Sequence, residues 1–322
     1  MIKKFIFIFI CFFIVANVSM IDNSTNPSTG SVYYSFRKSE NSRKYVLWKK
    51  TGAGWGNRLL GMIKTVIFSI VFNREILMEH DQYEASFDGN SEWFNKRDKF
   101  NQLLKESVSY NSDRWSVDTR VTIIPQGGYD VIPQEWLNVL VEKGIIENPT
   151  SIDAWFKIGN LITKSPSKEL LERVGQLRRR IQIPDRFNTS VQIRTMKDYS
   201  AGHAIAMSKE KQKQIWECIS KTVGYGGHTF FTTDETDLFS VAKGKFNSVY
   251  YNKHNFEHTS KTKKLIPDSI VEWYLLGEAS HVMCSFTTFC ITAVSRNYEG
   301  MKVTAIENTY KKEDVKCTII KN

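Results

Sequence analysis

A short β-type run, Tyr45-Val-Leu-Trp48, leads into Gly54-Trp-Gly-Asn-Arg58, a long apolar stretch over 59–72 and a second run, Ile76-Leu-Met78. Strand, glycine-rich turn, helix and strand form the opening unit of a Rossmann-like domain, and a crossover helix between two strands commits them to run in parallel. Gly54 and Gly56 would let the backbone approach a ligand closely, and the helix start offers unpaired N–H groups to an anion. Asn57 and Arg58 close the loop. A tight turn that needs positive φ would explain the same glycines without a ligand.

A second series of elements begins after Ile183-Pro184. Val191-Gln-Ile-Arg194 reads as a strand, and Ser208 caps a helix through Gln214 and Trp216 to Thr222, ending near Gly224. Thr229-Phe-Phe-Thr-Thr233 is a strand, 237–242 a short helix, and Ser248-Val-Tyr-Tyr251 a strand. Pro267 and Asp268 start a helix to Leu276; Val282-Met-Cys284 is a strand, 287–295 a helix and 302–306 a last core strand. This alternation predicts an α/β fold with a parallel sheet covered by helices on both faces. Between the two series the chain is aromatic-rich and irregular, with helical stretches at 134–142 and 168–179. The triple Arg178-Arg-Arg180 suits a helix C-terminus, where cations complement the dipole.

The expected organisation is an apolar signal or anchor over 1–20, a polar stem over 21–43, a first Rossmann-like domain over 44–182 and a second over 183–322. Lys3 and Lys4 before an apolar run from Phe5 to Val18 mark a secretory-pathway signal. The run is shorter than the roughly 20 residues of a spanning helix, but Ser19-Met-Ile21 could extend it. A retained anchor would keep the lysines cytoplasmic and give a single-pass type II protein with a membrane contact; a cleaved one would give a secreted protein. Asn23-Ser-Thr25 and Asn188-Thr-Ser190 are N-glycosylation sequons, which fits that compartment. Of the five cysteines, Cys11 lies in the apolar segment. Cys218, Cys284, Cys290 and Cys317 allow three pairings that the sequence leaves open. None has metal-ligand spacing, and Cys284 and Cys290 read as core residues or as one disulfide partner each. The net charge of +10 suits an anionic ligand. With no basic stripe interleaved with aromatics and no helix-turn-helix or zinc-finger spacing, nucleic acid is not an expected partner.

In open α/β sheets ligands bind beyond the carboxyl ends of the strands. Arg194 stands there with Thr195, Lys197 and Asp198, and a guanidinium can fork onto a diphosphate. Thr233, Asp234, Glu235 and Asp237 follow the next strand, where a carboxylate can accept from a ribose hydroxyl or a guanine N–H. Ser285, Thr287 and Thr288 leave a later strand and open a helix, so that hydroxyls and free N–H groups would meet one anion. Each group alone also reads as a solvated loop or an N-cap.

These segments carry a resemblance. Gly54-Trp-Gly-Asn-Arg58 with Asn73-Arg-Glu-Ile-Leu77 resembles the G-x-G-N-R…N-R segment of plant xyloglucan-type fucosyltransferases. Val191-Gln-Ile-Arg194 is similar to their I-Q-x-R strand and, more distantly, to the H-x-R motif of α1,2-, α1,6- and protein O-fucosyltransferases, with Gln192 in place of His. Glu272-Trp-Tyr-Leu-Leu276…Ser285-Phe-Thr-Thr-Phe289 resembles their E-M-Y-L-L…S-x-W-S-T-F block, with Phe286-Thr-Thr where W-S-T is common. The resemblance covers 44–78 and 190–294. It implies a GT-B fold of two Rossmann-like domains facing across a cleft, inverting transfer of L-fucose from GDP-fucose to a glycan acceptor, no metal or other cofactor, and a luminal Golgi setting. By position, Arg194 would grip the diphosphate, and Ser285, Thr287 and Thr288 would bind phosphate oxygens. Asp234 or Asp237 would face the guanosine, while Asn57 and Arg58 would border the reacting sugar. Glu79, Asp81 and Asp198 are the carboxylates available as a base, each with a structural alternative. Another nucleotide-sugar donor, or a silent glycan-binding relative, are the competing functions.

Overall fold

The first β–α–β unit folds as read. In the computed structural model β1 (Tyr45–Lys49) lies parallel to β2 (Glu75–Glu79), and α1 (Trp55–Phe72) is the crossover between them. The structure describes residues 43–322 apart from 95, 126–130, 196–207, 253–261, 286, 310–312 and 322. The apolar segment, the stem, the Asn23 sequon, Cys11, Lys197 and Asp198 therefore lie outside the described residues.

Short helices α2 (Asp81–Ser86) and α3 (Arg97–Lys105) precede β3 (Val108–Ser109) and β4 (Val121–Ile123). Together the strands make a parallel sheet in the order β2-β1-β4-β3. Three helices follow: α4 (Gln134–Glu142), α5 (Ser151–Thr163) and α6 (Lys168–Ile181). Thr150 and Ser167 cap α5 and α6 by accepting the N–H of Asp153 and Leu170, and the arginine triple fills the last turn of α6 as expected.

The second series is β5 (Thr189–Ile193), α7 (Lys209–Thr222), β6 (His228–Thr233), α8 (Asp237–Lys245), β7 (Ser248–Tyr250), α9 (Asp268–Leu276), β8 (His281–Ser285), α10 (Thr288–Ser295), β9 (Lys302–Glu307) and β10 (Lys316–Lys321). Its sheet runs β10-β9-β8-β5-β6-β7, parallel except for antiparallel β10 at the edge. β5 is buried throughout, as a central strand covered on both faces must be. Ser208 Oγ accepts from Lys211 N at 3.1 Å, and Gly224 takes a left-handed φ of +67° just beyond α7.

One hydrophobic core runs through both sheets. It joins Trp48, Trp55 and Ile63 of the first series to Phe156 of α5, Trp273 of α9 and Val294 of α10. α10 packs on α1 and α5, and α9 packs on α6. Two disulfides close the cysteine question. Cys218–Cys317 ties α7 to β10, and Cys284–Cys290 ties the end of β8 to α10.

Candidate active site

The glycine segment is a helix start and not a loop. α1 begins at Trp55, with Gly54 as its N-cap at φ −71° and ψ 167°, ordinary extended backbone. Positive φ therefore does not account for Gly54 or Gly56; among the described glycines it occurs at Gly144 and Gly224. Gly56 is required by a close approach instead. A Cβ there would lie 2.4 Å from both Phe289 N and the Thr288 carbonyl carbon. The first turns of α1 and α10 thus touch backbone to backbone. Among the described α-helices, these two alone carry no acidic residue in the first turn. First-turn N–H groups have no intrahelical acceptor, and neither helix places a carboxylate of its own first turn at its positive end, so both favour an external anion.

Arg194 follows β5 and is hydrogen-bonded to Ser285, which lies three residues before α10. Its N–H donates to Ser285 Oγ at 2.8 Å, and Thr309 Oγ1 lies 3.0 Å from both the Arg194 carbonyl and Ser285 Oγ. One hydroxyl hydrogen cannot serve both oxygens. If Thr309 donates to the carbonyl and accepts from Ser285, each hydrogen in this ring of three is used once. Ser285, expected to bind a phosphate oxygen, is fully buried, and its hydroxyl holds the Arg194 backbone. Thr287 is the N-cap of α10, accepting from Cys290 N at 3.4 Å, and Thr288 is the first helical residue; both are half-buried at the helix mouth.

Asp234, one of two carboxylates expected to face a guanosine, is turned toward Arg194 and Thr195. Its side chain is wholly enclosed, with Oδ2 2.9 Å from Arg194 Nη1. Oδ1 accepts from Thr195 N at 2.7 Å and lies 3.1 Å from Thr195 Oγ1. The carboxylate holds one edge of the planar Arg194 guanidinium and directs its head. Asp237 is exposed in the first turn of α8, where it complements that helix dipole and not the Arg194 cluster.

Asn57 is half-buried in the first turn of α1, but Arg58 is 1% exposed. Arg58 Nε donates to the Thr51 carbonyl at 3.1 Å and Nη1 to Gln82 Oε1, while Gln82 Nε2 reaches the Lys264 carbonyl at 3.1 Å. Arg58, expected to border the reacting sugar, thus braces the connection between β1 and α1. Burial draws its pKa down, with Asp81 opposing. Asp81 pairs with Lys50 at 2.6 Å. The His80 ring, the Lys50 ammonium and the Gln82 N–H hold its carboxyl well below the usual range, which makes it a poor proton acceptor. Glu79 ends β2, half-buried.

Sequence reasoning missed Thr309, which sits in a turn after β9 with no signature of its own. It quoted Glu272 within a motif but gave it no role. Glu272 is 4% exposed and accepts from Thr232 Oγ1 at 3.0 Å and Asn252 Nδ2 at 2.9 Å, clamping α9 to the ends of β6 and β7. Among the described residues no group of three His, Cys, Asp or Glu side chains is placed to hold a metal ion.

Two parallel sheets, with an arginine and two helix starts at the strand ends, can be compared with known architectures. A mutant of FUT1 from Arabidopsis thaliana in complex with GDP superposes with a TM-score of 0.57 at 15% identity, over 87% of this chain and 75% of that one. The fold is that of GT-B fucosyltransferases. The fucosyltransferase NodZ from Bradyrhizobium superposes with a TM-score of 0.50 at 13% identity, over 87% of this chain and 99% of NodZ. A NodZ alpha-1,6-fucosyltransferase co-crystallised with GDP gives 0.51 at 13% identity, again over 87% and 99%. No protein-family model and no curated protein matches the sequence. At these identities the likeness to the GT-B fucosyltransferases is one of fold.

Proposed function

We propose that the protein transfers L-fucose from GDP-fucose to a hydroxyl of a glycan acceptor, with inversion at the anomeric carbon and without a metal ion. The observation that carries this reading is Arg194, its backbone held by Ser285 and its head by Asp234, beside two acid-free helix starts that meet at Gly56. The presence of GDP in two of the structural neighbours supports a guanine-nucleotide donor.

In this mechanism the acceptor hydroxyl oxygen bonds to C1 of fucose as the C1–O bond to the β-phosphate breaks, and the hydroxyl proton leaves to water. The electron pair leaves on the diphosphate, where Arg194 and the N–H groups at the starts of α1 and α10 offset the charge. An oxocarbenium-like path asks little of a base, in keeping with the ion-paired state of Asp81. We place the reaction in the secretory pathway, in the Golgi lumen behind an N-terminal anchor, with secretion as the alternative. Two disulfides and the exposed Asn188 sequon support an oxidising, glycosylating compartment.

The test is GDP-fucose hydrolysis and transfer by the Lys44–Asn322 fragment, with and without EDTA, across an acceptor panel. Arg194→Lys and Arg194→Ala should each lower turnover by about a hundredfold or more with the unfolding temperature retained, because a lysine cannot reproduce the fork. GDP affinity unchanged by Arg194→Ala would remove this assignment. EDTA-sensitive turnover would remove the metal-free part, and stronger thermal stabilisation by UDP than by GDP would redirect the donor.

A further inference from the structure

The Cys284–Cys290 bridge makes none of the contacts assigned to the donor, yet it closes a loop around the residues that do. Cys284 is in register with Gln192 of β5 on one side and Ala305 of β9 on the other, deep in the sheet. Cys290 lies in the first turn of α10, where its N–H points to the capping Thr287 Oγ1. The two Cα atoms are 6.2 Å apart, and both residues are 1% exposed. Between them stand Ser285, which takes the Arg194 N–H, Thr287, which caps the helix, and Thr288, whose carbonyl carbon abuts Gly56.

We propose that this bridge is a positioning device for the donor. It pins the first turn of α10 to the central strand, so that the helix N–H groups and the Arg194 backbone are in place before the diphosphate arrives. The inference rests on the donor reading above. Two bridges with very different loops make it separable from general stability. Cys218–Cys317 spans 99 residues and Cys284–Cys290 spans 6. Loop-closure entropy grows with the span, so the long bridge should contribute more to global stability. The short one acts where binding would otherwise have to order a loop, and that ordering weakens affinity.

The experiment compares the full chain with Cys284→Ala/Cys290→Ala and with Cys218→Ala/Cys317→Ala, measuring Kd for GDP by calorimetry and the unfolding temperature. The short-bridge variant should bind GDP about tenfold more weakly, the size of one loop-ordering cost. Its KM for GDP-fucose should rise with the acceptor KM unchanged. The long-bridge variant should lose more unfolding temperature and keep its GDP affinity. Cys284→Val/Cys290→Ala, which refills the buried volume, should reproduce the weakened binding. Equal GDP affinity in the short-bridge variant and wild type overturns the proposal, as does an equal loss in the long-bridge variant. Failure of both short-bridge variants to fold would make the bridge a folding requirement and overturn it too. Absence of GDP binding by the wild type overturns the donor reading itself, and this inference with it.

Discussion

Gly56 shows how one missing side chain brings two helices together. Any Cβ at this position would meet the backbone of Thr288 and Phe289, which cannot swing aside as a flexible side chain would. Gly56→Ala should therefore destabilise the protein by about 1–3 kcal/mol, the usual cost of overpacking, and should lower GDP affinity because it pushes apart the α1 and α10 starts. Urea unfolding with a GDP titration checks this, and an alanine variant with wild-type affinity would contradict it. The need for glycine was legible in the sequence, but its cause was not. A positive-φ turn and a close approach leave the same letter, and Phe289 is far away along the chain. The same holds around Arg194. Its place at a strand end follows from local pattern, whereas the Asp234 carboxylate that directs it and the Thr309 hydroxyl that closes its ring come from separate strand ends. For Ser285 the sequence offered a hydroxyl near a helix start, and only the fold shows that it is buried against the Arg194 N–H.

Strands and helices between 189 and 307 could be read because each carries its own punctuation. Ser208 caps α7, Pro267 precedes α9, and Gly224 ends a helix with a left-handed residue. The middle of the chain lacked such clarity. α5 escaped notice although Thr150 caps it, because Gly159 and several aromatic and β-branched residues weaken its intrinsic helix preference. It is stabilised by packing on α1 and α10, which no local window reveals. β3 and β4, of two and three residues, are held by the sheet they join. α9 is fixed by a polar clamp. Glu272→Ala would strip Thr232 and Asn252 of a buried acceptor and should cost about 2–4 kcal/mol. Denaturant unfolding measures this, and a loss within error of zero would mean that water replaces the carboxylate.

His80 links the first core to pH. The ring is fully buried against Trp48 and Trp55, with Nδ1 3.9 Å from Asp81 Oδ1. Burial, helped by the Arg58 and Lys50 charges and opposed by Asp81, lowers its pKa from 6.5 to about 4. Between those values the unfolded chain binds a proton that the folded chain refuses, so stability is full above pH 6.5 and falls as the pH drops toward 4. The expected slope is about 1.4 kcal/mol per pH unit from this group alone. His80→Phe should lose that component when urea unfolding is compared at pH 7 and pH 5; parallel profiles for variant and wild type would refute it. Local order along the chain determined the β–α alternation, the parallel sheets, the capped helices and the arginine at a strand end, because each depends on residues within a few positions. The pairing of cysteines, the contact of two helix starts at Gly56 and the burial that turned Ser285, Asp234 and Arg58 into supports belong to the folded chain. They depend on distances between residues that range from 6 positions apart, as in Cys284–Cys290, to more than 200, as between Gly56 and Phe289, which packing sets and composition does not encode.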